Sequence, residues 1–325
     1  MRYLCMIIAL VVALPFIGNA QQKRAFLVGI SDYQDYGYKV WTNIHGAEDV
    51  KNLIEPSLRK MGFSQISSLT NDQATYQNIT SSLNNFANRC RSKDIIYIHF
   101  SCHGQPVEDG LKSGYPRNDE QDRWDESLVP IDAGMEYGVK GYKGDNHIID
   151  DELYDYITKI RKILGPQGIV YVVIDACHAA NMDRDGFETI RGTNEGFTRN
   201  PKNEYNPPKV RKKSKIVKSP ELAPILFVEA CESYERNQEI FYQGKEYGAL
   251  SFNIWQIFNS YNGAGFGCDI KNKFVPIYIP RCGFFSIYGN CHIFVSIRIC
   301  TSYKSKSSGN AISNEILCYF SFFIT

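Results

Sequence analysis

Two short runs of this chain carry the residue types that nucleophilic catalysis needs. The apolar run Asp94–Phe100 (DIIYIHF) feeds Ser101-Cys102-His103-Gly104-Gln105, and Gly168–Ile174 (GIVYVVI) feeds Asp175-Ala176-Cys177-His178-Ala179. A thiol that attacks a peptide carbonyl needs a neighbouring base, which raises its thiolate character and later protonates the leaving amine. It also needs N–H donors aimed at the developing oxyanion. Cys177 is the candidate nucleophile and His103 the candidate base. The backbone N–H groups of Gly104 and Cys177 are the candidate oxyanion donors, since glycine lets backbone approach closely. Either half alone is weak, because a solitary cysteine or histidine at a strand end more often serves the core. Both halves at two strand ends are much more specific. A metal site from Cys102, His103, Cys177 and His178 is disfavoured, because adjacent residues on a strand point to opposite faces.

These residues work only if rigid elements hold them. Arg24–Ile30 reads as a buried strand, and Gln65–Thr70 as a second. Ala47–Met61 carries Val50, Leu53, Ile54 and Leu58 at helical spacing and stops at Gly62. Helices are also predicted over Thr75–Arg89, Asp150–Leu164 and Gly248–Ser260, and a further strand over Pro224–Ala230. Strands apolar on both faces, alternating with helices, predict an α/β fold whose mostly parallel sheet is covered on both sides. In such sheets the chemistry lies at the carboxyl ends of the strands, which is where His103 and Cys177 fall.

The motifs resemble the caspase/metacaspase type of cysteine peptidase. Ile98-His99-Phe100-Ser101-Cys102-His103-Gly104 is similar to the H-Y-S-G-H-G run of metacaspases, and Asp175-Ala176-Cys177-His178-Ala179 to their D-S-C-H-S. Ile44-His45-Gly46-Ala47-Glu48-Asp49 is similar to the family's helix start. Trp124–Asp132 is similar to its D-E-x-L-x-P-x-D segment, and Ile149–Leu153 to its D-D-E-L. The resemblance covers Arg24 to Ser260 and implies a caspase-like three-layer α/β sandwich with a Cys-His dyad working through a thioester. Cys102 stands where the family has Gly, and Ala176 and Ala179 where it often has Ser.

The resemblance also implies a specificity pocket beside the dyad, lined by Asp49, Ser101 and Asp175. Two carboxylates favour a basic P1 side chain through charge-assisted hydrogen bonds. Animal caspases hold P1 Asp with an arginine, and the positions nearest this one, Asn43, Ile44 and His45, include none. Cleavage after Arg or Lys is expected. The dyad requires no cofactor. The family is often calcium-activated, and Asp132, Asp150 and Asp151 are the matching oxygen donors, with Asp183 or Asp185 as additions; the same acids also suit a helix cap. A clostripain- or gingipain-like peptidase would share the His-Gly and strand-end Cys logic. A catalytically impaired caspase-like scaffold is the reading from a different class.

Composition bounds the rest. Lys and Arg number 36 against 35 Asp and Glu, which argues against a nucleic-acid footprint over the whole chain. Arg2, the apolar run Leu4–Ile17 and Gly18-Asn19-Ala20 read as a signal peptide cut after Ala20, implying a secreted or periplasmic protein with no stable membrane span after its removal. Ten cysteines fall to nine once Cys5 leaves with the signal, so at least one thiol is expected to be free or intermolecular. The expected organisation is a signal over 1–20, a large-subunit region over 21–200, a basic linker over 201–221 and a small-subunit-like region over 222–262. Within the linker, Lys209–Lys218 (KVRKKSKIVK) is a candidate self-cleavage site. Residues 263–325 lack caps and periodicity and read as an irregular, non-native end.

Overall fold

The computed structural model describes residues 21–33, 41–115, 120–177, 189–207, 216–231 and 237–260, and the backbone of four short strands beyond them. The signal-like segment, most of Lys209–Lys218, and Asp183 and Asp185 lie outside the described residues.

Strand β1 (Lys23–Gly29) leads to a helical segment α1 over residues 46–60, and then to β2 (Gln65–Thr70). Helix α2 (Tyr76–Arg89) precedes β3 (Ile95–Ser101), β4 (His103–Glu108), β5 (Trp124–Val129) and β6 (Ile148–Ile149). Helix α3 (Asp150–Leu164) returns the chain to β7 (Ile169–Asp175) and then to β8 (Ile225–Glu229). The hairpin β9 (Glu239–Tyr242) and β10 (Lys245–Gly248) runs into helix α4 (Ala249–Ser260). Beyond it lie β11 (Phe285–Gly289), β12 (Ile293–Phe294), β13 (Ser296–Ile297) and β14 (Phe323–Ile324).

The main sheet runs β13-β11-β8-β7-β3-β1-β2. Its five strands from β8 to β2 are parallel, and β11 and β13 add antiparallel at one edge. Alternation along β1 sends Phe26 and Val28 to one face and Ala25 and Leu27 to the other. On the first face they pack against Ile79, Leu83 and Phe86 of α2 and Leu153, Ile157 and Ile160 of α3. On the second they meet Val50, Leu53 and Ile54 of α1 and Leu250, Phe252 and Phe258 of α4. This is the three-layer α/β sandwich expected from the sequence. A separate antiparallel sheet, β4-β5-β6, lies at the end of β3, and its presence was not legible in the periodicity. No described helix is long and apolar enough to cross a membrane.

The chain goes from β1 outward to β2, then back across β1 to β3 and β7. The strand order therefore reverses at the β1/β3 pair, whose carboxyl ends form the crevice in which α/β proteins place ligands. The backbones are tight there. A Cβ on Gly46 would lie 2.1 Å from the carbonyl oxygen of Ser101, and one on Gly29 would lie 2.3 Å from that of Gly46. Glycine at both positions lets the start of α1 seat directly on the ends of β1 and β3. The middle of α1 is widened into a π-helix from Asp49 to Ile54, a geometry that recurs at functional sites.

Candidate active site

His103 is the first residue of β4, two positions after β3 ends, and it is 1% exposed. Its ring stacks on Trp41 at a centroid distance of 4.9 Å and lies against Tyr33 at 4.8 Å. Tyr33 bridges the turn: its hydroxyl accepts the His103 amide at 2.9 Å and donates to the Val129 carbonyl at 2.9 Å. The Nε2 of His103 lies 2.7 Å from the carbonyl oxygen of Thr42. A carbonyl can only accept, so Nε2 carries the proton and Nδ1 bears the lone pair. That Nδ1 is buried and has no hydrogen-bond partner. Burial pushes the imidazole down to about 4, with the Thr42 contact opposing. The ring is thus a neutral base at pH 7, in the tautomer a thiol proton requires.

Cys177 stands two positions after the end of the strong strand β7 and is fully buried. Cys90, Cys102, Cys177 and Cys231 carry thiols rather than disulfides. Burial pushes the thiols of Cys90 and Cys102 up to about 12, so neither is a nucleophile at neutral pH.

The amide of Cys177 donates at 2.9 Å, and that of Gly104 at 3.4 Å, to one carbonyl oxygen, that of Arg191. The two N–H groups predicted as oxyanion donors thus converge on a single peptide carbonyl of the chain itself. The side chain of that residue fills the predicted specificity pocket. The guanidinium of Arg191 is fully buried, 2.8 Å from Asp49, 2.6 Å from Glu239 and 4.0 Å from Asp175. It also donates to the Ser101 hydroxyl, which itself donates to Asp49 at 2.6 Å. Asp49, Ser101 and Asp175, three residues far apart in sequence, are therefore brought together as expected.

Each acid is braced. Asp49 accepts the amide of Gly248 at 3.0 Å. Asp175 accepts the side chain of Asn237 at 2.7 Å, and the amide and hydroxyl of Ser251 at 2.8 and 2.6 Å. Glu239 accepts the amide of His45 at 2.7 Å and pairs with its Nδ1 at 2.6 Å. Burial drives Asp49 up to about 7, against the pull of Arg191. Burial also pushes on Asp175, yet Arg191 and the Ser251 and Asn237 donors hold it below the usual carboxylate range. The difference follows from the neighbouring charges, since the carboxylates of Asp175 and Glu239 add to the upward push on Asp49. Burial works against the charge on Arg191, but Asp49, Asp175 and Glu239 hold it firmly protonated.

Sequence reasoning missed Arg191, Glu239, Asn237 and Ser251. No strand-end motif marks them, and a lone Arg-Gly step in an aperiodic stretch was the only signal. No arginine was expected beside the pocket from positions 43–45, and the structure supplies one from position 191.

The expected calcium set is dispersed. Asp132 accepts the amide of Tyr76 at 2.8 Å, at the start of α2, and the side chain of Asn146 at 3.2 Å. Asp150 is grouped instead with Glu120 and Asp125, with one ligand atom from each lying within 4.8 Å of the others. Asp151 is half-buried in the first turn of α3. Among the described residues, Asp132, Asp150 and Asp151 do not form one such cluster. The separation follows from the fold, which puts Asp132 and Asp150 at the starts of different helices.

The family model for the metacaspase, peptidase C14 domain matches residues 23–183. "Metacaspase III c" of Phaeodactylum tricornutum is 30% identical over 167 residues, 49% of this chain and 43% of that protein. "Metacaspase-2" of Arabidopsis thaliana is 28% identical over 170 residues, 50% of this chain and 35% of that protein. The chain thus spans less than half the length of these curated relatives. A Geobacter sulfurreducens protein of known crystal structure superposes with a TM-score of 0.49 at 19% identity, over 76% of this chain and 84% of that one. The matched segment contains the β3 and β7 ends with His103 and Cys177, and over residues 23–183 the chain is similar to the metacaspase, peptidase C14 domain.

Proposed function

We propose that this chain is a cysteine endopeptidase that cuts protein or peptide substrates after Arg or Lys, with Cys177 as nucleophile and His103 as acid and base. The observation that carries the reading is the seat of Arg191: guanidinium among Asp49, Asp175 and Glu239, carbonyl oxygen on the amides of Cys177 and Gly104. A basic P1 residue of a substrate would take the same place. His103 Nδ1 takes the proton of the Cys177 thiol, and the thiolate adds to the P1 carbonyl carbon. The two amides hold the oxyanion. His103 then protonates the leaving amine, and water hydrolyses the thioester.

Arg rather than Lys makes full use of the pocket. A planar fork reaches carboxylates on several sides, whereas an ammonium meets them as a point charge. Glu239 adds to the two acids expected from the sequence, and a pocket with three carboxylates rejects P1 Asp by repulsion.

Calcium stimulation remains part of the proposal, with Asp150 as the residue retained from the expected set. Glu120, Asp125 and Asp150 offer the hard oxygen donors that Ca2+ takes. Export rests on the leader-like residues 1–20.

The test is hydrolysis of matched P1-Arg, P1-Lys and P1-Asp peptides by the wild type and Cys177→Ala, with and without Ca2+. The expected order is Arg, then Lys, with no turnover of Asp and none by the variant. Turnover of P1-Asp alone would reverse the specificity, and a rate indifferent to chelator would remove calcium.

A further inference from the structure

We infer that the peptide bond Arg191–Gly192 is the chain's own cleavage site, cut in cis by Cys177. The inference rests on the peptidase reading above and names that enzyme's first substrate.

An arginine that merely neutralised three buried acids would need only its side chain in the pocket. Arg191 has its backbone placed as well. Residues 189–191 run antiparallel to residues 237–239, with a bridge between Ile190 and Gln238. The amide of Arg191 donates to the carbonyl of Asn237 at 3.0 Å, and the amide of Glu239 to that of Thr189 at 2.9 Å. This is how an extended peptide is held by strand addition, with main-chain bonds giving affinity and a pocket reading the side chain. The next atom along is the carbonyl oxygen held by Cys177 and Gly104.

The leaving side is held too. The amide of Thr193 donates to the Gly104 carbonyl at 3.3 Å. Phe197, fully buried, is anchored to β4 by its amide on Pro106 at 2.8 Å and its carbonyl on the Glu108 amide at 2.9 Å. Gly192 itself lies flat on the nucleophile's backbone, where a Cβ would come within 1.8 Å of the Cys177 carbonyl oxygen. Both flanks of the bond are thus tied down across the dyad, and the orphaned Nδ1 of His103 stands in the same buried site. A bond held in this way reacts as an intramolecular one, with the entropy of encounter already removed.

The reaction balances without an added reagent except water. The Cys177 thiol loses its proton to His103 Nδ1, and Sγ bonds to the Arg191 carbonyl carbon. The Arg191–Gly192 C–N bond breaks, and the Gly192 nitrogen leaves as an amine with the proton from His103. Water then attacks the thioester, the C–S bond breaks, and Arg191 ends as a carboxylate with the thiol restored. Until that release, Arg191 fills the pocket against other substrates. The bond lies upstream of Lys209–Lys218, the segment that composition had singled out.

The experiment follows the full-length chain by intact-mass spectrometry and N-terminal sequencing after purification, with P1-Arg peptide hydrolysis measured in parallel. A new N-terminus at Gly192 is expected, formed at a rate unchanged by dilution. Cys177→Ala is expected to stay whole, also when mixed with wild-type protein. Arg191→Lys, which keeps the charge among the acids, is expected to be cut at the same bond. Arg191→Gln and Gly192→Ala are expected to lose the cut. A wild type that hydrolyses the peptide with residues 191 and 192 still joined overturns this inference and leaves the peptidase reading intact. Cleavage of Arg191→Gln at the wild-type rate, or of Cys177→Ala in trans at that rate, overturns it equally. A chain that neither cuts itself nor hydrolyses any peptide, as wild type or as Arg191→Lys, overturns both.

Discussion

At the scale of single residues, the pocket acids are unequal, and the inequality is testable. Arg191 and the Ser251 and Asn237 donors hold Asp175 below the usual carboxylate range, whereas burial raises Asp49 to about 7, so that it is partly protonated near neutrality. Replacing Glu239, which accepts from the Arg191 guanidinium at 2.6 Å, by its amide removes a hydrogen bond between charged groups, about 1.5–3 kcal/mol. That predicts a fall of roughly 10- to 150-fold in kcat/KM for P1-Arg peptides, since 1.4 kcal/mol is about tenfold. Asp49→Asn, which replaces a group already partly neutral, is expected to lose less than Asp175→Asn. Steady-state kinetics of the three variants would show the order, and an equal loss in all three would refute it. His103 offers a second measurement. A base works only when unprotonated, and burial holds this imidazole near 4 rather than 6.5. Single-turnover cutting of Arg191–Gly192 should therefore persist through pH 6 and fall only nearer pH 4. A half-point at 6.5 would mean that His103 is exposed before reaction.

At the scale of elements, the site depends on how closely α1 seats on the ends of β1 and β3. Gly46→Ala would drive a methyl into the carbonyls of Ser101 and Ile30, at 2.1 and 2.7 Å. Overpacking of this kind costs about 1–3 kcal/mol, and each kcal/mol is worth about 2–4 °C in Tm for domains of this size. A drop of several degrees in a thermal melt is expected, together with weaker P1-Arg hydrolysis, because Asp49 rides on the displaced turn. The amide of Tyr76 ties Asp132 to the first turn of α2, where Thr75 accepts the amide of Asn78 at 3.2 Å. Asp132→Ala is expected to cost about 1 kcal/mol, the worth of a lost N-terminal cap. That loss should be the same with and without Ca2+, whereas a calcium-dependent loss would restore Asp132 to the metal set. The elements themselves were largely legible. Ile79, Leu83 and Phe86 mark the buried face of α2, and the apolar runs ending at Phe100 and Ile174 mark the two strands that lead to His103 and Cys177. The β4-β5-β6 sheet was not legible, because Gln105, Pro106, Asp125 and Glu126 interrupt the apolar alternation by which half-buried strands are recognised.

At the scale of the molecule, buried histidines set the response to acid. Burial lowers His99 and His103 to about 4 and His147 to about 3. The unfolded chain protonates these three near 6.5, while the folded chain keeps them neutral. Their stabilising contribution is therefore complete above 6.5 and is lost as pH falls toward 4. Asp49 acts with the opposite sign, since its raised folded value lets the native state take up a proton below 7. His45 and Asp132 are also raised on folding and act with Asp49, so the contribution of a buried ring is read by removing it. His147→Phe should shift the difference between the thermal midpoints at pH 5 and pH 7 toward greater stability at pH 5, and an unchanged difference would contradict the buried neutral state of this ring.

The sequence by itself determined the layered α/β fold and put His103 and Cys177 at two neighbouring strand ends, because both are written locally. Strand ends are marked by where an apolar run stops, and His103 and Cys177 each stand within a few residues of such a stop. It also marked Asp49, Ser101 and Asp175, through short motifs that flank the same strand ends, and the fold brings these three around one guanidinium. Only the tertiary structure decided what occupies that pocket. Arg191, Glu239, Asn237 and Ser251 come from segments with no periodicity or motif, and they acquire meaning only when β9, β10 and α4 fold against the end of β7. The Arg191 guanidinium meets three carboxylates through three distances set by packing, and no spacing in the chain encodes them.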